Sequence, residues 1–259
     1  MASQITMKKF LRRIFLVVLF VFLAPLAVHA LVYSQIGWPK NWRAANWASS
    51  GVLPSPSQHE EAMVRIYSAR TGRWRGIFAV HSWIVIKRRS ENQYHRFDVL
   101  GWGSPVRHNE FPPDGYWYSS KPELQYQVSG SNASALIPKI ENAIRNYPHN
   151  KHGSYVLWPG PNSNSFIAFV MRSVPELHAT LPATAIGKDF IGYNNWISPT
   201  PSNTGWQISF MGYAGISAGL VEGLEINLLG LVAGIDFINP AIKLPGFGRI
   251  GFPRSTRFE

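Results

Sequence analysis

The sequence predicts an α+β fold, an antiparallel sheet packed on helices, with a membrane helix before it and a glycine-rich β extension after it. Three observations predict this. Apolar and polar residues alternate with period two over residues 62–68, and residues 77–86 are apolar on both faces, as a central strand is. Leu136, Ile137, Ile140, Ala143, Ile144 and Tyr147 recur at helical spacing. An uncharged apolar run, Ile14 to Tyr33, follows Lys8, Lys9, Arg12 and Arg13.

Each element follows in order. The N-terminal run has two readings. As an anchor it is just long enough to cross a bilayer. As a signal it would be cut after Val28-His29-Ala30. In both, the basic flank stays in the cytoplasm. The expectation is a single-pass inner-membrane protein with its domain in the periplasm, or a periplasmic protein after cleavage. Residues 34–60 carry Trp38, Trp42 and Trp47 without a period. They read as a linker beside the lipid headgroups or as rings packed on the domain. Arg88 to Asn92 is a polar turn, and Tyr94 to Leu100 returns as the second strand of a hairpin. Short strands are expected at 116–118 and 124–128. Asn132 or Ser134 caps the first helix and Pro148 stops it. A second helix is expected over about 164–173, before Pro175. After Trp206, glycines punctuate short apolar strands that are expected to pack on the main sheet. The divisions are 1–33, 34–60, 61–200 and 201–259.

Composition removes several functions. The 259 residues include no Cys, which excludes disulfides, thiolate zinc sites, iron–sulfur clusters and cysteine nucleophiles. Hydrophobic residues at 46% against 15% charged exclude a disordered chain. The net charge of +11 is concentrated partly in the N-terminal basic cluster and does not point to nucleic acid. No His-Glu-x-x-His occurs, and there is no close histidine cluster beyond His149 and His152, so neither a metal nor a cofactor is expected.

One constellation carries chemistry. In Trp158-Pro159-Gly160-Pro161-Asn162-Ser163-Asn164-Ser165-Phe166 a tight turn runs straight into an apolar helix. Helix N-termini present free N–H groups that favour an oxyanion. Asn and Ser are also the preferred capping residues, and capping is the first reading of this segment alone. A serine nucleophile needs a base. His81 lies in the apolar strand on the face of Ala79, Trp83 and Val85, where it reads either as a core histidine or as that base. A hairpin turn centred on Arg89–Ser90 sets Asp98 opposite His81, and a slip of one or two residues substitutes Val99 or Leu100. Asp98 is therefore the expected orienter, with His95, near residues 84–86, the second choice.

A histidine on a strand, a polar partner on the next strand and a later nucleophile at a helix start resemble a circularly permuted papain-like pattern. It is similar to lecithin:retinol acyltransferase and permuted NlpC-type families, with Asn162-Ser163-Asn164-Ser165-Phe166 where those families carry Asn-Cys-x-x-Phe. The stretches 78–83, 99–103, 158–166 and 175–177 also resemble an uncharacterised family of membrane-anchored bacterial proteins. The papain-like resemblance implies Ser163 as nucleophile, His81 as base and Asp98 or His95 as orienter. Asn162, Asn164, Ser165, Trp83 and Trp158 would then meet the substrate. The exchange of Cys for Ser demands full base catalysis, because a hydroxyl is not activated by local charge alone. Two functions follow as expectations. One is an envelope hydrolase or acyl/peptidyl transferase acting on peptidoglycan peptides or lipids. The other is a non-catalytic binding or interaction module that keeps the groove; as a partner protein it would show its largest apolar patch on residues 206–250.

Overall fold

In the computed structural model, which describes residues 2–253, β1 (Met63–Arg70) and β2 (Val80–Lys87) pair along their whole lengths at the centre of a five-stranded antiparallel sheet. β3 (His95–Val99) and β4 (Val106–His108) lie beyond β2, and β5 (Glu123–Ser129) lies beyond β1. Alternation along β2 sends Val80, Ile84 and Ile86 into one apolar layer and Trp83 and Val85 into another. The first layer is closed by helices α3 (Gly130–Arg145) and α4 (Ser163–Ser173), through Ile137, Ile140, Phe166 and Val170. Rings from the 47–53 and 111–118 segments close the second.

Three local expectations are corrected. The central strand starts at Val80, because Arg73–Ile77 is a 3₁₀ turn whose exit is held by Ala79 N–H on Arg75 O (2.9 Å). Residues 116–118 form no strand: Tyr116 N–H bonds Ala48 O (2.9 Å), Trp117–Ser120 is a tight turn whose end residues exchange backbone hydrogen bonds at 2.9 Å, and 106–108 pairs on β3 instead. α3 starts at Gly130 after Ser129, ahead of Asn132 and Ser134, since Gly130 at φ 70° turns the chain straight out of β5. The Trp-rich linker is not detached: Trp47 sits edge-on to Trp117 (5.1 Å) and Ser49 bridges to Gly115.

The N-terminal helix is continuous. α1 (Ala2–Val18) passes through a π turn, Leu19–Leu23, into α2 (Ala24–Ile36). The π turn precedes Pro25, whose ring would clash with the carbonyl one turn back in a regular α-helix. Within residues 7–36 an 18-residue stretch reaches a mean hydropathy of 2.7 with little of it buried, so this is one apolar helix long enough to be a membrane anchor or a signal.

The C-terminal strands form a separate sheet. β6 (Ile197–Pro199), β7 (Gly205–Phe210), β8 (Ala214–Gly219), β9 (Gly223–Leu228), β10 (Leu231–Asp236), β11 (Ala241–Leu244) and β12 (Gly248–Gly251) form an antiparallel meander in chain order. No strand of it pairs with β1–β5. The last six residues of the expected extension, 254–259, lie outside the described ones.

Register gives the two faces of this sheet opposite chemistry. Ser198, Gln207, Ser217, Glu225, Gly234, Lys243 and Arg249 form one cross-strand row. The adjacent row, on the other face, is Pro199, Trp206, Ala218, Leu224, Ile235, Ile242 and Ile250. The polar row is the buried one. Lys188 and Lys243 both bond the Glu225 carboxylate. Arg172 from α4 donates to Gln207 Oε1 (3.0 Å), and Asn227 donates to Asp189 Oδ2 (3.0 Å). The meander thus docks through charges and amides, not on the main sheet through an apolar face.

Candidate functional site

The best-formed polar cluster lies on the second layer, around β2 and β3. Their pairing sets Ile84 opposite Phe97 and Val85 opposite Arg96. Continued along the strands, this register puts Trp83 opposite Asp98 and Leu100 opposite His81. That is the two-residue slip, which preserves the face because side chains alternate with period two. His81 therefore meets Asp98 on the diagonal, with Nε2 3.1 Å from Asp98 Oδ2. Arg96 donates to the same oxygen from Nη2 (2.7 Å) and Nε (3.2 Å), and from Nη1 to Pro112 O (2.9 Å).

Aromatic rings enclose the three side chains. The His81 ring stacks on Trp117 at 3.7 Å and 7°. The Arg96 guanidinium lies 4.2 Å over Trp83. Exposures are 4% for His81, 1% for Asp98 and 0% for Arg96. The cover is pinned by Asp114, which accepts from Ser49 Oγ (2.7 Å) and Val52 N–H (3.0 Å).

Electrostatics follow from this geometry. Burial pushes the His81 pKa down; Asp98 opposes the shift and Arg96 adds to it. Burial would raise the Asp98 carboxyl, but Arg96 and His81 outweigh it and hold it below the usual range. Asp98 is then ionised and can only accept, so the neutral imidazole carries its proton on Nε2 and its lone pair on Nδ1. That is the tautomer a general base needs.

Ser163 opens α4 on the other layer. Asn162 caps the helix: its Oδ1 accepts from the N–H groups of Asn164 (2.9 Å) and Ser165 (3.1 Å). Ser165 Oγ accepts from Asn162 N–H (2.7 Å) and completes a capping box. Asn164 bonds Val80 O (2.9 Å) and Ile186 O (2.8 Å), and accepts from Ser82 Oγ (2.8 Å). So Ser82 turns toward α4, whereas His81, one residue earlier, turns away. No hydrogen bond joins Ser163 to His81.

The remaining expected residues are scattered. Trp83 is fully buried and donates to Pro113 O (2.8 Å). Trp158 is exposed and donates to Leu229 O (3.0 Å) in the meander. His95 sits at the far end of the hairpin, between Glu91 (2.8 Å) and His108 (2.9 Å). Asn162, Asn164 and Ser165 are spent on capping and docking, and two of the helix's N–H donors are engaged with them. Among the described residues, no group of three or more His, Asp or Glu is set to hold a metal. A hollow of about 660 Å³ lies at the end of the meander, and one of about 340 Å³ between α3 and α4; neither is lined by His81 or Ser163.

Arg96, Trp117 and Asp114 join the site without having been expected from the sequence. Arg96 had a signal: it stands two residues before Asp98 and hence on its face of the strand. Trp117 and Asp114 had none, since they arrive from an irregular segment. No curated protein and no solved structure matches the chain. A family model does match, over residues 61–190, a span that holds the five-stranded sheet, α3 and α4 and stops short of the meander. With half of its length matched, the chain belongs to the family described as a protein of unknown function, DUF3750.

Proposed function

We propose that this chain is a membrane-anchored interaction module of the cell envelope, with its folded part in the periplasm, built on a permuted papain-like core that no longer performs the chemistry. The observation that carries this reading is the divergence at β2. Its helix-facing residue, Ser82, engages the α4 start, while His81 faces the opposite layer beneath Trp117. A serine hydroxyl without its base in reach is a poor nucleophile. Two of the helix N–H donors that could hold an oxyanion, those of Asn164 and Ser165, are engaged by Asn162. Anchoring is supported by the apolar helix of residues 7–36, and the periplasmic side by the basic residues that precede its most apolar part. Peptidoglycan peptides and lipids are the ligands within reach of such a domain.

A second reading, an envelope hydrolase or acyl/peptidyl transferase, is favoured by one observation: the His81–Asp98 pair with the base tautomer already set. A fluorophosphonate probe separates the two. The wild-type chain, Ser163→Ala and His81→Gln are treated with the probe in detergent micelles. The binding module predicts no labelling that depends on Ser163. Labelling of the wild type that disappears in both variants, with folding intact, would restore the catalytic reading.

A further inference from the structure

The meander is inside out for a water-exposed sheet. An antiparallel sheet with one wet face normally turns its polar residues to the water. Here the polar row is buried, and Trp206 and Ile208 on the other face are 64% and 58% exposed. Ile216, Ile226, Ile242 and Ile250 continue that face and are exposed as well. Seven strands at about 4.8 Å and roughly five residues at about 3.4 Å give a face of about 30 by 17 Å in projection. That is on the order of 500 Å², near the upper end for the largest apolar patch on a soluble monomer (roughly 300–600 Å²), before side-chain relief is counted.

Charge narrows the choice of occupant. Between Ile191 and Pro253 the charged residues are Glu222, Glu225, Asp236, Lys243 and Arg249. The first four are buried, and Arg249 is partly open. A protein-binding surface carries a polar, charged rim around its apolar centre. This one continues apolar into its hairpin tips, at Leu220, Phe237 and Ile238.

The N-terminal helix supplies the direction. Its π turn, Leu19–Leu23, packs against β10, and Ala233, on the apolar face of β10, is buried. His29 sits at Gly246 and Phe247, where β11 turns into β12. The apolar helix therefore meets the sheet at β10 and at the β11–β12 turn, so the open face adjoins the one candidate membrane helix among the described residues.

We propose that the exposed face of the meander is a second membrane-contact surface, seated among the acyl chains of the leaflet that the anchor helix leaves. The open edges at β6 and β12 forbid spanning, because unpaired backbone groups cannot enter the hydrocarbon, so the sheet lies against the leaflet and does not cross it. Its polar face and the five-stranded domain stay on the water side. This seat goes beyond the anchoring helix and does not depend on whether Ser163 is catalytic.

The absence of cysteine makes the test direct. Single cysteines replace exposed residues in the full chain: Ile226→Cys and Ile242→Cys on the face, Lys121→Cys on the main domain, and Val17→Cys in the helix. Each carries an environment-sensitive fluorophore. The chain is reconstituted in vesicles of phosphatidylethanolamine and phosphatidylglycerol, with or without brominated acyl chains. The proposal expects blue-shifted emission and loss of most of it to bromine at residues 226 and 242, and neither at 121. Quenching at 17 without quenching at 226 and 242 would overturn the proposal and leave the anchor standing. Quenching at 226 and 242 without quenching at 17 would uphold the proposal and overturn the anchor. Probe–probe coupling at 226 between molecules, without bromine quenching, would overturn it in favour of a second copy of the chain on this face.

Discussion

The two sheets solve opposite problems. The five-stranded sheet buries Ile84, Ile86 and Ile66 on the helix side and Trp83 and Tyr67 on the other, so both of its faces are apolar and covered. The meander buries Glu225, Lys243 and Gln207 and leaves Trp206, Ile208 and Ile226 open. The first is held by area removed from water. The second is docked by ion pairs and amide hydrogen bonds that are worth having only while every partner is present. The difference shows that alternation fixes which residues share a face and leaves open which face is inside. Even the polar cluster of the first sheet follows its rule: Arg96, Asp98 and His81 are accepted there because each is paired and walled by rings.

The comparison can be broken most strongly at Glu225. Glu225→Ala leaves Lys188 and Lys243 buried without their shared carboxylate. The expected loss is about 3–5 kcal/mol in denaturant unfolding of the full chain in detergent. A loss under about 1 kcal/mol would mean that the meander does not depend on its buried charges. Burial pushes the Glu225 carboxyl up, but the two lysines outweigh it and bring its pKa to about 2, from 4.5 when unfolded. Its contribution is therefore complete above pH 4.5 and disappears as pH falls toward 2.

A smaller effect sharpens the first sheet. His81 is held neutral by burial, with its pKa below the 6.5 of the unfolded chain. The unfolded state takes up that proton first, so stability declines as pH falls below 6.5 toward the folded value. His81→Gln should flatten this part of the melting-temperature profile. An unchanged slope would mean that His81 is not the group responsible.

The smallest effect lies on the open face. Ile208→Ser removes no buried contact, and its unfolding free energy in detergent should match the wild type within about 0.5 kcal/mol. A loss several times larger would show that the face is packed against protein, in contradiction to its exposure.

The parts governed by local chemistry are legible in the amino-acid pattern alone. Period-two alternation marked β1, a run apolar on both faces marked β2, and the polar turn after it marked β3 as the returning strand. Spacing marked α3, and Asn162 with Ser165 wrote the start of α4 as a cap. The meeting of His81 with Asp98 was also legible, because a slip of two residues leaves both on one face. The side of β2 that the second helix occupies is set by packing between distant segments, not by local pattern. That choice turned Ser82, not His81, toward α4, and a single residue of parity carries it. Such packing decided equally that the Trp47 segment closes over the histidine, since an aperiodic segment has no face to read. The meander's alternation could be seen in Trp206-Gln207-Ile208-Ser209, but its polar side was turned inward by partners far away in the chain, Lys188, Asp189 and Arg172. Local sequence sets the period of a strand; which face is buried depends on what the rest of the chain brings against it.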